Sequence, residues 1–425
     1  MRKSIALLLV LVFLTASCVV AVKPAFSSEG LVGDSWVSKA SMPSTLNSPG
    51  AAELNGKIYV VGAHQGENVN NSLFEYDPLT DNWTVRKSLP SSRMDFAVAA
   101  CNGKIYVIGG KLNPQTTSAG VALSNNEVYD PATDSWETRA SMPTARSQIA
   151  AETVGGKIYV IAGRTGGAYT SVGTNEVYDP STDSWTTASP ISLLVAGPSS
   201  AVVDNKIYVI GGQAEFNSPM NPGLNWIYTP ENDTWTQGAK QPDPEWNSAA
   251  AGATTGVMAP KRVYVMGGYP GFAAPLDQNY AYDPNGNSWR AAASLPTARA
   301  YFAVAVIDDL LYIIGGANAS FKITASVECY IPIGYGGTPE PSYVPPTPSP
   351  SPEPQNTPTP EPQGTPTPQP QDTPTPTPQA TSTPEPEREP FPTLPVAVAS
   401  VAAVVVVGAG LLIYFKKRKR EAAQA

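Results

Sequence analysis

Few chemically active side chains are spaced so that they could form a catalytic centre. His64 is the only histidine among 425 residues. A site that needs two imidazoles, including a histidine-based di-metal centre, is therefore excluded. Glu215, Glu245 and His64 could act as acid–base groups, but nothing in their spacing brings them together. The sequence predicts no catalytic residue, no metal site and no cofactor, so an enzyme is less favoured than a binding protein.

Arginine recurs at one position of a repeated pattern and offers a binding chemistry. Six tryptophans recur about every fifty residues: Trp36, Trp83, Trp136, Trp185, Trp235 and Trp289. The position ten residues after each of them holds, in order, Leu46, Arg93, Arg146, Val195, Glu245 and Arg299. Guanidinium groups bind carboxylate, sulfate or an acidic peptide through paired hydrogen bonds. The alternative is that these arginines only tie adjacent loops together through backbone carbonyls. On the binding interpretation, Arg146→Ala would leave the stability of the protein nearly unchanged.

Composition and charge restrict the domains and the partners. The chain has a net charge of −8 with 15% charged residues, which disfavours binding to nucleic-acid phosphates. Of its 44 prolines, 22 lie within residues 339–395, a stretch that cannot form a packed core. We expect residues 29–335 to form a monomeric globular head. Residues 336–393 would form an extended, disordered Pro/Thr-rich linker that resembles O-glycosylated stalks.

The first 28 residues have the pattern of a signal peptide. Arg2 and Lys3 precede an apolar run from Ile5, and Ala25-Phe26-Ser27 matches a small-x-small cleavage site. The alternatives are an uncleaved N-terminal anchor and lipidation at Cys18.

The C-terminal region has the pattern of a membrane anchor. Residues 394–415 carry no charge and are long enough to cross about 30 Å of hydrocarbon. Five basic residues follow at 416–420, and such clusters stay in the cytoplasm. We expect one transmembrane helix at 394–415, a cytoplasmic tail at 416–425 and a head outside the cell membrane. Candidate N-glycosylation sites are Asn70, Asn82, Asn232 and Asn318.

Two motifs recur about every fifty residues in the head. The first motif is a strand that ends in glycine, such as GKIYVIGG at 103–110. The second motif is YDPxTDxW. The tyrosines of the first motif are Tyr59, Tyr106, Tyr159, Tyr208, Tyr264 and Tyr312, and glycines after them include Gly110, Gly212, Gly268 and Gly316. The repeated tryptophans are Trp36, Trp83, Trp136, Trp185, Trp235 and Trp289. Repetition at this period predicts one structural unit per repeat, with these residues in structural roles.

The motifs resemble the kelch repeat from residue 36 to about residue 332. The resemblance implies an all-β fold of six four-stranded blades in a propeller, with strands a to d running outward from a central channel. Trp36 precedes the first repeat, and no tryptophan follows the last one, which ends near Cys329. The N-terminal strand should therefore complete the last blade and remove an open edge. Cys101 and Cys329 fall in different blades, so no disulfide is expected.

Loop lengths indicate where a ligand would bind. In an antiparallel blade the b–c and d–a loops emerge on one side, called here the loop face, and the b–c loops vary most in length. Variable loops on a rigid scaffold are the usual place for binding. The candidate ligand-contacting residues on this face are Arg93, Arg146, Arg164, Arg299, Glu245 and Tyr269.

These observations favour a cell-surface binding module over other functions. The head would be displayed on a membrane-anchored stalk and would bind an extracellular protein or a glycan, and not a nucleic acid. One alternative is a carbohydrate-active enzyme similar to the kelch-type sialic-acid epimerases. The other is a structural component of a cell envelope.

Overall fold

A computed structural model describes residues 33–62, 64–65, 68–112, 121–166, 170–213, 223–242, 250–270 and 274–336. The chain separates into two units, Met1–Ser349 and Pro350–Ala425, and all described residues belong to the first. These residues form strands, turns and loops, and they include no helix that could cross a membrane. The predicted signal peptide, linker, transmembrane helix and tail lie outside the described residues.

Six four-stranded antiparallel sheets form the blades of the propeller, as the repeats predict. The outermost strand of blade 6 is β1 (Ser35–Lys39). Blade 1 contains β2 (Gly50–Leu54), β3 (Lys57–Val61), β6 (Leu73–Asp77) and β7 (Asn82–Arg86), with the short strands β4 (His64–Gln65) and β5 (Asn68–Val69) in its b–c loop. Blade 2 contains β8 (Ala97–Cys101), β9 (Lys104–Ile108), β10 (Asn126–Asp130) and β11 (Ser135–Thr138). Blade 3 contains β12 (Ala150–Val154), β13 (Lys157–Ile161), β14 (Asn175–Asp179) and β15 (Ser184–Ala188).

The remaining three blades follow the same order along the chain. Blade 4 contains β16 (Ser199–Val203), β17 (Lys206–Ile210), β18 (Asn225–Thr229) and β19 (Thr234–Gln237). Blade 5 contains β20 (Ala250–Thr254), β21 (Arg262–Met266), β22 (Asn279–Asp283) and β23 (Ser288–Ala291). Blade 6 combines β25 (Ala303–Ile307), β26 (Leu310–Ile314) and β28 (Val327–Ile331) with β1, and the short strands β24 (Arg299–Ala300) and β27 (Ala317–Asn318) lie beside it on the loop face.

Local sequence accounts for the inner half of each blade. The KIYVI-type b strands are β-branched and aromatic, and they are buried because they lie between strands a and c and between two blades. Asn55-Gly56 and Asn102-Gly103 form the a–b turns with positive φ at both residues, the backbone that a two-residue hairpin requires. Strand a carries small residues, since six such strands crowd around the channel.

A repeated set of contacts, called here the inter-blade clamp, joins each blade to the preceding one. The strand-c tyrosine donates its hydroxyl hydrogen bond, 2.6–2.8 Å long, to a turn side chain: Tyr76 to Asp81, Tyr129 to Asp134, Tyr178 to Asp183, Tyr228 to Asp233, Tyr282 to Asn287 and Tyr330 to Asp34. The same side-chain oxygen accepts the backbone N–H of a residue in the preceding blade, and the tryptophan Nε1–H donates to that residue's carbonyl. The clamped residues are Ala40, Lys87, Ala140, Ser189, Ala239 and Ala293.

The sixth clamp is assembled from the two ends of the propeller. Asp34 accepts from Tyr330 at 2.8 Å and from the Ala293 N–H at 2.6 Å, and Trp36 donates to the Ala293 carbonyl. Strand β1 pairs with β28 in the register Trp36 to Tyr330 and Val37 to Cys329. The predicted closure by the N-terminal strand is therefore confirmed, and it reproduces the contacts that the chain makes within each of the other blades.

The a–b turn of blade 5 is longer than those of the other blades and lies opposite the loop face. Residues 255–261 fold over the buried carboxylate of Asp309, which accepts the N–H groups of Thr255, Val257, Met258 and Ala259. These backbone bonds lower the pKa of Asp309, although its burial acts in the opposite direction. Cys101 and Cys329 are both buried, and neither forms a disulfide.

Candidate functional site

The central channel opens on the loop face through a cavity of about 290 Å³. A second cavity of about 270 Å³ lies along the a strands, and the two share residues such as Ala51, Val98 and Glu152. Strand a stands at the end of every sheet and is hydrogen-bonded on one side only. Its free edge therefore turns backbone N–H and C=O groups toward the channel, which gives a polar lining in spite of the small side chains.

Five residues in the d–a loops surround the opening, and they are called here the mouth ring. They are Ser48, Asp95, Gln148, Gly197 and Tyr301, with φ angles between 52° and 60°. The backbone links them around the mouth: Ser48 donates to the Tyr301 carbonyl at 2.8 Å, and Gln148 donates to that of Asp95 at 2.8 Å. The mouth ring thus places five different residues in equivalent positions on a rigid frame.

The loop face is polar on one side and aromatic on the other. On blades 2 to 4, Lys111 pairs with Asp95 at 2.8 Å, and Arg164 donates to the Gln213 amide oxygen at 2.6 Å. On blades 5 and 6, the rings of Tyr269 and Tyr301 lie 6.2 Å apart. Phe321, which is 50% exposed, meets Tyr269 edge-on at 5.4 Å. A ligand at the mouth would meet amide and charged groups on one flank and an aromatic surface on the other.

Three of the predicted ligand-contacting arginines lie inside the blades. Arg93, Arg146 and Arg299 are at most 1% exposed. Arg146 donates to the carbonyls of Ala162 and Val160 and pairs with Glu176 at 2.7 Å, all within blade 3. Arg93 pairs with Glu127 and Arg299 pairs with Glu328 in the same way. This placement corrects the expectation that the three side chains are exposed on the loop face, and it favours the alternative in which they tie loops to the blade.

The contacts of the arginines account for this inward direction, since backbone carbonyls and a glutamate of the blade hold each guanidinium. The ring residue follows each loop arginine by two positions, as Gln148 follows Arg146, and has a positive φ. Burial lowers the pKa of all three arginines, and the paired glutamates counteract that effect. The spacing from tryptophan therefore located the correct loop, and the residues that face the cavity are those two positions later.

A signal for the buried pairs exists within the repeats. Strand c carries Glu127, Glu176 and Glu328 in the three blades whose loop carries arginine. Where the loop residue is Leu46, the strand-c residue is Phe74, and where it is Val195 the strand-c residue is Trp226; each pair lies in one apolar cluster. In these five blades the loop residue and the strand-c residue therefore differ together, being either an ion pair or an apolar pair. Such joint replacement is expected of two residues that contact each other inside a blade.

The other predicted residues have different positions. Arg164 and Tyr269 do begin b–c loops on the loop face, although Arg164 is only 9% exposed. Glu245 lies outside the described residues, and so do Glu215 and the side chain of His64. Asn82 at the start of β7 and Asn232 in a c–d turn are exposed on the opposite side, whereas Asn70 and Asn318 are half-buried near the b–c loops. The described residues contain no group of three or more His, Cys, Asp or Glu arranged to hold a metal ion.

The sequence reasoning missed Glu152, which lies in strand a of blade 3 and lines both cavities. Its Oε1 accepts a hydrogen bond of 2.7 Å from the Ser200 hydroxyl of blade 4. Burial in the channel raises the pKa of Glu152 to about 7, and the bond from Ser200 offsets part of this increase. The signal that could have identified it is a single glutamate in strands that otherwise carry small or apolar residues at the equivalent position.

Family models match most of the propeller. The Kelch motif matches residues 46–90 and 92–143, and a Kelch-repeats domain described as KLHDC2/KLHL20/DRC7 matches residues 140–316. The chain belongs to the kelch-repeat family. Kelch propellers typically serve as protein-interaction modules, and this chain has that architecture.

Individual relatives are similar over parts of the kelch propeller. Kelch-like protein 35 of Mus musculus is 31% identical over 25% of this chain and 17% of its own length. Beta-scruin of Limulus polyphemus is 32% identical over 16% of this chain and 8% of its own length. The matched segments thus span less than a fifth of these relatives. A solved structure titled "Structure of YjhT" superposes with a TM-score of 0.59 and 18% identity over 68% of this chain and 95% of that one, a likeness in fold.

Proposed function

We propose that this kelch protein is a cell-surface binding module that recognises an extracellular protein or glycan at the mouth ring. The observation that carries the proposal is the opening on the loop face, where Ser48, Asp95, Gln148, Gly197 and Tyr301 differ at equivalent positions of an otherwise repeated scaffold. A structural repeat has no need for such differences, since every blade could use the same residue. Unlike side chains around one cavity are what selective binding requires.

The flanks of the mouth support a polar ligand with one flat apolar side. Tyr269, Tyr301 and Phe321 offer aromatic rings, and Asp95, Lys111 and Gln148 offer hydrogen-bonding groups. Sugars and extended peptides both combine these features. Display on a stalk rests on the sequence patterns at 336–393 and 394–415, and the basic residues at 416–420 support an orientation with the propeller outside the cell.

The test is a glycan-and-protein array probed with residues 29–335. This segment contains both partners of the β1–β28 closure, so it holds all the strands of the ring. The variant replaces Asp95, Gln148 and Tyr301 by glycine, which removes the side chains at backbone positions that glycine adopts without strain, as Gly197 already does. We expect selective binding by the wild type that the variant loses at unchanged stability.

A matched control distinguishes the loop face from the remaining surface. Lys206→Ala and Glu231→Ala change exposed charges on the opposite side of the propeller and should leave array binding as it is. If these control variants lost array binding to the same extent as the triple glycine variant, the result would contradict a site at the mouth. A folded head that binds nothing would count against the module and favour the enzyme or the structural envelope component.

A further inference from the structure

Glu152 has no counterpart in the other five blades. The residues at its position, opposite the strand-b tyrosine, are Ala52, Ala99, Ala201, Gly252 and Ala305. The five blades that lack the carboxyl form the same strands, pair in the same register and make the same clamps. The scaffold therefore does not need Glu152, and a group that a repeat adds at one position is a candidate for function.

Glu152 also differs from the buried carboxylates of the described propeller in what surrounds it. Glu75 pairs with Lys57 at 2.6 Å and with Arg86 at 2.8 Å. Glu127, Glu176 and Glu328 each pair with an arginine, and Asp309 accepts backbone N–H groups. Glu152, by contrast, accepts one hydrogen bond from a neutral hydroxyl. Glu152 is half-buried in the wall of the channel, and a carboxylate partly removed from water is stabilised by a positive partner, which its described surroundings lack.

The cavities around Glu152 do not supply that cation. Among the described residues that line them there is no lysine and no arginine, whereas Glu53 and Asp95 add further carboxyl groups. Asp95 is already paired with Lys111, which lies outside the lining. The described lining of the channel thus offers carboxyl groups, the Ser200 hydroxyl and the open edges of the a strands, and it is accessible from the loop face.

We propose that the central channel binds a small hydroxylated ligand that carries one ammonium group, with Glu152 as the counter-ion and Ser200 beside it. The ammonium group would supply the positive partner that the protein lacks, and the strand edges would bind the hydroxyl groups. Cavities of about 290 and 270 Å³ suit a ligand at the small end of the usual range. This site goes beyond the proposed function, because it lies inside the channel and does not depend on a macromolecule at the mouth.

The test is calorimetric titration of the full-length protein with serinol and with glycerol. These probes have the same carbon skeleton, and serinol has an ammonium group where glycerol has its central hydroxyl. At pH 8 we expect serinol to bind at least about tenfold more tightly than glycerol, since a hydrogen bond to a charged group contributes about that factor. Glu152→Gln should remove this preference. Glu137→Gln, on the exposed outer strand β11, should keep it.

The pH dependence provides a second readout. Because Glu152 must be ionised, serinol affinity should rise about tenfold from pH 6 to pH 8 in the wild type and stay flat in Glu152→Gln. Titratable groups on the packed strands and in the lining are Lys157, Tyr159, Cys101, Lys206, Tyr208, Glu53, Asp95 and Tyr301. Equal binding of the two probes, an unaffected Glu152→Gln variant, or no serinol binding in the millimolar range would each overturn the proposal.

Discussion

Arg146 and Glu176 form an ion pair that blade 3 encloses completely, with side-chain exposures of 0% and 3%. Arg146→Leu would leave the carboxylate buried without its partner, which typically costs about 3–5 kcal/mol of stability. This reverses the expectation of a nearly neutral substitution that follows from an exposed arginine. Urea unfolding monitored by tryptophan fluorescence would measure the difference.

Blade 1 provides the control for this substitution. It carries Leu46 and Phe74 where blade 3 carries Arg146 and Glu176. The double variant Arg146→Leu/Glu176→Phe should therefore recover most of the lost stability, since an apolar pair often replaces a buried ion pair without cost. A double variant no more stable than Arg146→Leu would show that the arginine acts mainly through its bonds to backbone carbonyls.

Glu152 predicts a pH dependence of stability with a defined sign. Its pKa rises from 4.5 to about 7 on folding, so the folded protein holds this proton more tightly than the unfolded chain. Stability is therefore favoured below pH 4.5 and falls as the pH rises toward 7, by less than about 3 kcal/mol because Glu152 is only half-buried. Glu152→Gln should lack this decrease. If the stabilities of the two proteins changed in parallel between pH 4.5 and 8, the result would count against a half-buried carboxyl without a basic partner.

At the scale of the elements, the inter-blade clamp makes the c–d turns part of the interface with the preceding blade. Asp183 accepts the Tyr178 hydroxyl at 2.6 Å and the Ala140 N–H at 2.9 Å, and its own φ is 49°. Asp183→Ala removes both bonds and puts alanine in a left-handed conformation, for an expected loss of about 2 kcal/mol. Thermal unfolding of the propeller would measure this loss.

The clamp of blade 5 supplies the matched variant. Asn287 occupies the position of Asp183 there and accepts the same two hydrogen bonds. Asp183→Asn should accordingly stay within about 1 kcal/mol of the wild type. If Asp183→Asn were as damaging as Asp183→Ala, the negative charge would matter more than the shape of the acceptor.

At the scale of the whole molecule, stability depends on closing a ring whose two ends are far apart in sequence. Val37 is the register partner of Cys329 across the closure. Val37→Cys should form a disulfide with Cys329 on oxidation and raise the free energy of unfolding by up to about 5 kcal/mol, because it constrains a very long loop. Non-reducing electrophoresis and thermal unfolding would detect the bond and its effect.

Ser38→Cys is the control for the register. Ser38 lies opposite Glu328, and side chains alternate between the two sides of a strand. A cysteine at this position should not reach Cys329. Cross-linking by Ser38→Cys in place of Val37→Cys would mean that β1 is paired one residue away from the register described.

Much of the architecture could be predicted from the sequence because it is written in short-range patterns repeated six times. The tyrosines and tryptophans gave the blade count, the Asn-Gly pairs gave two of the hairpins, and the unmatched Trp36 indicated the closure. The clamp was only half visible: the turn aspartates such as Asp183 stand in the repeated motif, but their partner is a backbone group of another blade. Repetition shows that a residue matters to the unit and does not show which neighbour it contacts.

The sequence by itself determined that this chain contains a six-bladed kelch propeller closed by its N-terminal strand, since local periodicity and the order of motifs suffice for that. Only the tertiary structure decided which loop residues reach the channel. Arg146 is held inside blade 3 by Glu176 and two backbone carbonyls, whereas Gln148, two residues later and with a positive φ, lines the cavity. The tertiary structure alone revealed that the described cavity lining gives Glu152 no lysine or arginine partner, because that lining is formed by side chains from several blades.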